Sequence, residues 1–117
     1  MKAFELLADP KNWIKGAIAK DTFGVTHRVF HPDSTRFCIS GAILRVYHSE
    51  PGDSVPIPTL DESVKIILDR VTQELVKRNW FTPESVETTG YPHITFWNDL
   101  PSTAHAQIID VLTVLDL

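Results

Sequence analysis

Cysteine is nearly absent from this chain: Cys38 is alone among 117 residues. No internal disulfide can form, and the chain reads as a cytoplasmic protein. Long apolar runs are missing too. No stretch approaches bilayer-spanning length, and the opening "MKAFELLADP" lacks the apolar core of a signal peptide, so no membrane partner is expected. The five glycines (Gly16, Gly24, Gly41, Gly52 and Gly90) are scattered. That scatter rules out G-x-G-x-x-G and Walker-type phosphate cradles. Neither H-E-x-x-H nor paired-cysteine spacing occurs, and His27 and His31 fall on a predicted hairpin arm and its exit rather than on one helical face. No metal site and no cofactor are therefore expected. Basic excess is also lacking: 11 Lys and Arg stand against 15 Asp and Glu, a net charge of −4. Such a balance makes nucleic acid an unlikely partner, because binding it requires displacing counterions with a cationic surface.

What is present is the composition of an ordinary globular protein, 43% hydrophobic and 22% charged, of a length that suits a single domain over residues 1–117. Charge is uneven. Residues 1–50 carry seven basic and five acidic side chains, whereas residues 51–117 carry four and ten. A modest basic patch on the first half and an acidic face on the second follow from this.

The expected fold is α+β and mainly α, with about four helices and one small hairpin near the N-terminus. Residues 2–8 suit a short helix that Asp9-Pro10 breaks. Alternating Ala17, Ala19, Val25 and Val29 around Gly24 predict a β-hairpin with arms at roughly 16–21 and 25–30. Asp33, Ser34 or Thr35 then caps a helix running to about Tyr47, with Phe37, Gly41 and Leu44 on one stripe. The proline-rich 49–59 segment reads as a loop. Thr59 and Glu62 match a capping box ahead of the longest helix, whose Val64, Ile67, Leu68, Val71 and Leu75 recur with helical period. Thr82 with Pro83 predicts a short turn, and "HITFWND" reads as a brief extended or apolar segment. Ser102 is the expected cap of a final helix burying Ile108, Val111, Leu112 and Leu115.

Two stretches carry candidate chemistry. Cys38 at the head of a helix faces free N–H groups and the positive end of the dipole, which favour a thiolate. With His105 or His31 as base, and Asp99 or Asn98 orienting that base, it would supply the groups of a thiol hydrolase. The alternative is that Cys38, followed by Ser40-Gly41-Ala42, is one of several small residues that let this helix approach its neighbour. Asn98-Asp99 equally suits a tight turn launching the last helix, its side chains bonded to local backbone.

Together, Trp13 with Gly16-Ala17, Ala19-Lys20-Asp21 leading to Gly24, Phe37-Cys38-x-x-Gly41-Ala42 and Trp97-Asn98-Asp99 resemble, in order and spacing, an uncharacterised family of small bacterial and phage proteins. The resemblance spans most of the chain. It implies a shared fold and no established activity, with His105 standing near the place of a histidine that follows Asn-Asp in that family.

Three functions remain open. The first is a protein-interaction or regulatory module, phage- or mobile-element-associated, binding an unidentified protein through aromatics such as Trp80, Phe81 and Tyr91. The second is the Cys38 hydrolase. The third is a weak nucleic-acid or small-ligand binder acting through Lys11, Lys15, Lys20, Arg28 and Arg36, with salt-dependent affinity. The first is favoured. Oligomeric state is not legible.

Overall fold

A computed structural model describes residues 1–48, 62–80 and 92–117. In chain order the elements are α1 (Ala3–Leu6), a 3-10 turn (Pro10–Asn12), β1 (Ala19–Lys20), β2 (Arg36–Phe37), α2 (Ile39–Tyr47), α3 (Glu62–Lys77), α4 (Pro92–Asp99) and α5 (His105–Val114). The fold is α+β and mainly α, as expected, with five helices among the described residues. None of them is long and apolar enough to cross a membrane.

The long helix follows its sequence pattern. Val64, Leu68, Val71 and Leu75 are buried along one face of α3, with Ile67 packed beside them. Beside that face Glu74 and Arg78, four apart, form an ion pair at 2.8 Å with both side chains largely shielded. The expected Thr59 cap and the Thr82–Pro83 turn involve positions outside the described residues. The helix stops without glycine. Asn79 takes a positive φ of 59°, Trp80 N–H donates to Leu75 O, and Asn79 N–H donates to Val76 O. This is the Schellman pattern, with asparagine in the left-handed position. α5 ends the same way at Asp116, φ 58°, with Leu117 N–H bonded to Leu112 O. The buried Ile108, Val111 and Leu112 of α5 bear out its predicted inner face, with Leu115 packed at its edge.

Four expectations are corrected. The strand partner of β1 is Arg36–Phe37, in antiparallel register Ala19↔Phe37 and Lys20↔Arg36, rather than the 25–30 arm. That arm touches β1 only through a Lys20↔Thr26 bridge. Beyond it the chain turns away at His31 and Ser34, whose N–H groups bond to Arg28 O and His31 O. The pairing of Phe37 is favoured because it buries the ring, 1% exposed, against the core. Second, α2 therefore starts at Ile39, and its cap is Cys38 rather than Asp33, Ser34 or Thr35. Third, "HITFWND" lies within a helix, α4, in which Ile94 and Trp97 fall three apart on the buried side. Fourth, α5 is capped at Ala104, whose N–H is accepted by Gln107 Oε1 at 2.7 Å, and not at Ser102.

Candidate functional site

Asn98 sits in the last turn of α4 with 0% exposure, and every polar atom of its amide is used. Its Oδ1 accepts from the Trp13 indole Nε1 at 2.7 Å and from Ile39 N at 3.0 Å. Its Nδ2 donates to Ile14 O at 3.0 Å and to Asp99 Oδ1 at 2.9 Å. The same Asp99 oxygen accepts from Gly16 N at 3.0 Å. The Trp13–Gly16 stretch, the Cys38–Ile39 start of α2 and Asn98-Asp99 therefore converge on one amide. A turn does follow at residues 100–103 before α5, with Thr103 N–H bonded to Leu100 O, but the two side chains reach across the fold rather than to local backbone, which corrects their expected role.

Cys38 lies beside this knot. Its Sγ accepts from Gly41 N at 3.3 Å, acting as the helix cap, and the side chain is fully buried. Burial pushes the thiol above its ordinary pKa. The N–H groups of Gly41 and Ser40 oppose that shift, and the Asp99 charge adds to it. A protonated, inaccessible sulfur is the opposite of an activated nucleophile. His105 is engaged elsewhere. Its Nε2 lies 2.6 Å from Leu7 O, and since a carbonyl only accepts, that nitrogen carries the proton. Its ring leans on Trp13 at 6.0 Å. His31 accepts Asp33 N–H at Nδ1 and stacks on His27. The structure thus brings Cys38, Asn98 and Asp99 together, with Asn98 bonded to Trp13, Ile14 and Ile39 and no imidazole among its partners. Accordingly, a thiol reagent is expected to label Cys38 between about pH 6 and 9 only as fast as the protein opens, and at the free-thiol rate once it is denatured.

Of the aromatics expected to form a binding patch, Trp80 lies among the described residues. Trp80 stacks on Trp97 at 5.6 Å and 10°, and the Arg78 guanidinium lies 4.9 Å from its ring, so it covers the core. Phe81 and Tyr91 fall outside the described residues. Among the basic side chains, Lys15 donates to Leu100 O at 2.6 Å and Arg36 to Thr22 O at 3.1 Å, which leaves both tied to backbone.

Large apolar side chains are exposed at several places among the described residues, Met1, Ile66, Phe96 and Val114 included, and three of them meet at the predicted hairpin turn. Phe23 is 91% exposed, with Val25 and Ile18 also outside. The loop beneath them is pinned. Asp21 Oδ1 accepts from Phe23 N at 2.8 Å and from Val25 N at 2.9 Å, while Oδ2 lies 2.8 Å from His27 Nε2. Asp21 N–H returns to Val25 O, and Gly24 supplies the φ of 84° that closes the turn. The His27 hydrogen bond, with those from Val25 and Phe23, holds the Asp21 carboxyl below its ordinary pKa. Its contribution is therefore complete at neutral pH and fades as pH falls through the depressed value. A phenylalanine beside the glycine of a predicted turn was the available signal, since turn positions face solvent. One group of side chains suited to a metal also lies together among the described residues: His27, His31 and Asp33.

No curated protein and no solved structure matches the chain. The model of a family of unknown function, DUF6197, matches residues 1–115, and the chain belongs to that family.

Proposed function

We propose that the protein is an interaction module that inserts Phe23 into an apolar pocket of another protein. The observation that carries this reading is a loop stiffened by five hydrogen bonds at Asp21 and one from Arg36, yet holding a phenylalanine at 91% exposure. Holding a large apolar ring in water costs free energy that a partner's pocket recovers. A pre-ordered loop loses little entropy on docking. Arg36, bonded at Thr22, puts positive charge near the same tip, which suits a pocket rimmed by carboxylates. A regulatory protein of a phage or mobile element would work in this way, by occupying a pocket of its target.

Phe23→Ser tests the reading. Because the ring touches little of its own fold, the variant is expected to unfold within about 0.5 kcal/mol of the parent. A partner cross-linked to the wild-type chain in cells that encode it should be lost from the variant, with affinity down at least about tenfold. Retention of the same partner by Phe23→Ser sinks the proposal. Sedimentation at increasing concentration shows whether that partner is a second copy.

A further inference from the structure

His27, His31 and Asp33 are brought together by the turn between β1 and β2, and one ligand atom from each lies within 4.8 Å of the others. His27 and His31 are four apart, but no helix runs through this stretch to bring them onto one face. The turn at Arg28–Ser34 does the gathering, through His31 N–H to Arg28 O, Ser34 N–H to His31 O and Ser34 Oγ to Arg28 O at 2.7 Å. We propose that His27, His31 and Asp33 bind a divalent transition metal of the zinc type, with Asp21 as the carboxylate that orients His27.

Asp21 makes this more than a surface cluster. Its Oδ2 holds His27 Nε2 at 2.8 Å, with the two side chains only 13% and 20% exposed. A hydrogen bond from Nε2–H to a carboxylate fixes the tautomer that leaves the Nδ1 lone pair free, and it raises the basicity of that lone pair. This is the arrangement by which carboxylates support metal-bound histidines. Two imidazoles and one carboxylate favour zinc, cobalt or nickel over calcium and magnesium, which select oxygen. Three protein ligands leave a tetrahedral ion one position for water.

Coordination requires a defined local change. The two rings are stacked, 4.1 Å between centroids at 16°, so their in-plane lone pairs run side by side. A metal with bonds of about 2.0–2.1 Å draws its ligand atoms closer than they lie here. His31 must turn about its side-chain bonds, and Asp33, which is exposed, must swing inward. The bond from Asp33 N–H to His31 Nδ1, 3.0 Å long, is given up in the process, because a neutral imidazole bound to metal has no second acceptor. The Asp33 amide is thus the reporter of binding.

The test is titration of the untagged full chain with Zn2+ by calorimetry, with Co2+ as the visible probe and amide NMR of the same samples. One equivalent should bind saturably, Co2+ should develop the d–d bands of a tetrahedral site, and the Asp33 amide should shift. His31→Ala and Asp33→Ala, both in a surface turn, should each weaken zinc at least about tenfold. Asp21→Asn keeps an oxygen for the Phe23 and Val25 N–H groups but removes the charge facing His27, and it should weaken zinc about 10- to 100-fold without unfolding the loop. Zinc affinity equal in the wild type and His31→Ala, or an Asp33 amide unmoved at saturation, overturns the site.

Discussion

Asn98→Ala is expected to lower the unfolding free energy by about 4 kcal/mol, a large part of the 5–15 kcal/mol that keeps a domain of this size folded. The truncation removes four hydrogen bonds at a position with 0% exposure. It leaves the Trp13 indole N–H, the Ile39 N–H and the Ile14 carbonyl facing a small void, and each buried polar group without a partner costs about 1–3 kcal/mol. Relaxation and water entry recover part of that sum. Urea denaturation measures the change, and a loss below about 1 kcal/mol would show that the knot is not what joins these segments.

Asn98→Asp sharpens the test because it is nearly isosteric. Its carboxyl would face Ile14 O and the Asp99 carboxylate, the two groups that now accept from Nδ2. Burial and the neighbouring negative charge raise its folded-state pKa above the free value of about 3.9. A group whose folded pKa is raised favours folding when protonated. The variant should therefore approach wild-type stability below about pH 4 and lose it progressively as pH rises toward neutrality. Melting temperatures across that range, compared with the wild type at each pH, give the sign directly.

The difference between these residues and the helices explains what was legible. α3 and the inner face of α5 could be read because periodic burial is a local property, visible in Val64, Leu68, Val71 and Leu75 or in Ile108, Val111 and Leu112. α4 is only eight residues long and contains isoleucine, threonine, phenylalanine and tryptophan, so its propensity favours a strand and tertiary contact decides otherwise. The ends of α3 and α5 use Asn79 and Asp116 where a glycine signal would be sought. The pairing of β1 with Arg36–Phe37 and the bonds of Asn98, which link residues 59, 84 and 85 apart, depend on the assembled fold. The residues of the knot stand out in the sequence as Trp13, Cys38, Asn98 and Asp99. The residue types of Cys38, Asn98 and Asp99 suit catalysis, whereas the geometry engages them in packing and hydrogen bonding. The exposure of Phe23 and the meeting of His27 with His31 and Asp33 likewise need the turn to be built first.

Gly41→Ala is expected to destabilise the protein by about 2–4 kcal/mol, although the same change in an ordinary helix interior stabilises by about 1 kcal/mol. A Cβ at position 41 would stand 2.2 Å from Ile18 O, with Ile18 C and Cγ1 at 3.2 Å. The nearest atom is backbone and cannot swing aside. Ile18 O also accepts from Cys38 N at 3.3 Å, and Ala19 next to it is paired with Phe37. To admit one methyl group, α2 must move away from the segment leading into β1, which stretches that bond and loosens the packing over Cys38. Two readouts should therefore change together: the denaturation midpoint falls, and the buried thiol reacts faster with a labelling reagent under conditions where the wild type is protected. Small residues near Cys38 would then have a physical reason, since the helix that Cys38 caps lies against a carbonyl with no room for a side chain. A Gly41→Ala protein as stable as the parent, with Cys38 equally protected, would mean that the approach of α2 to Ile18 is not the constraint on this helix.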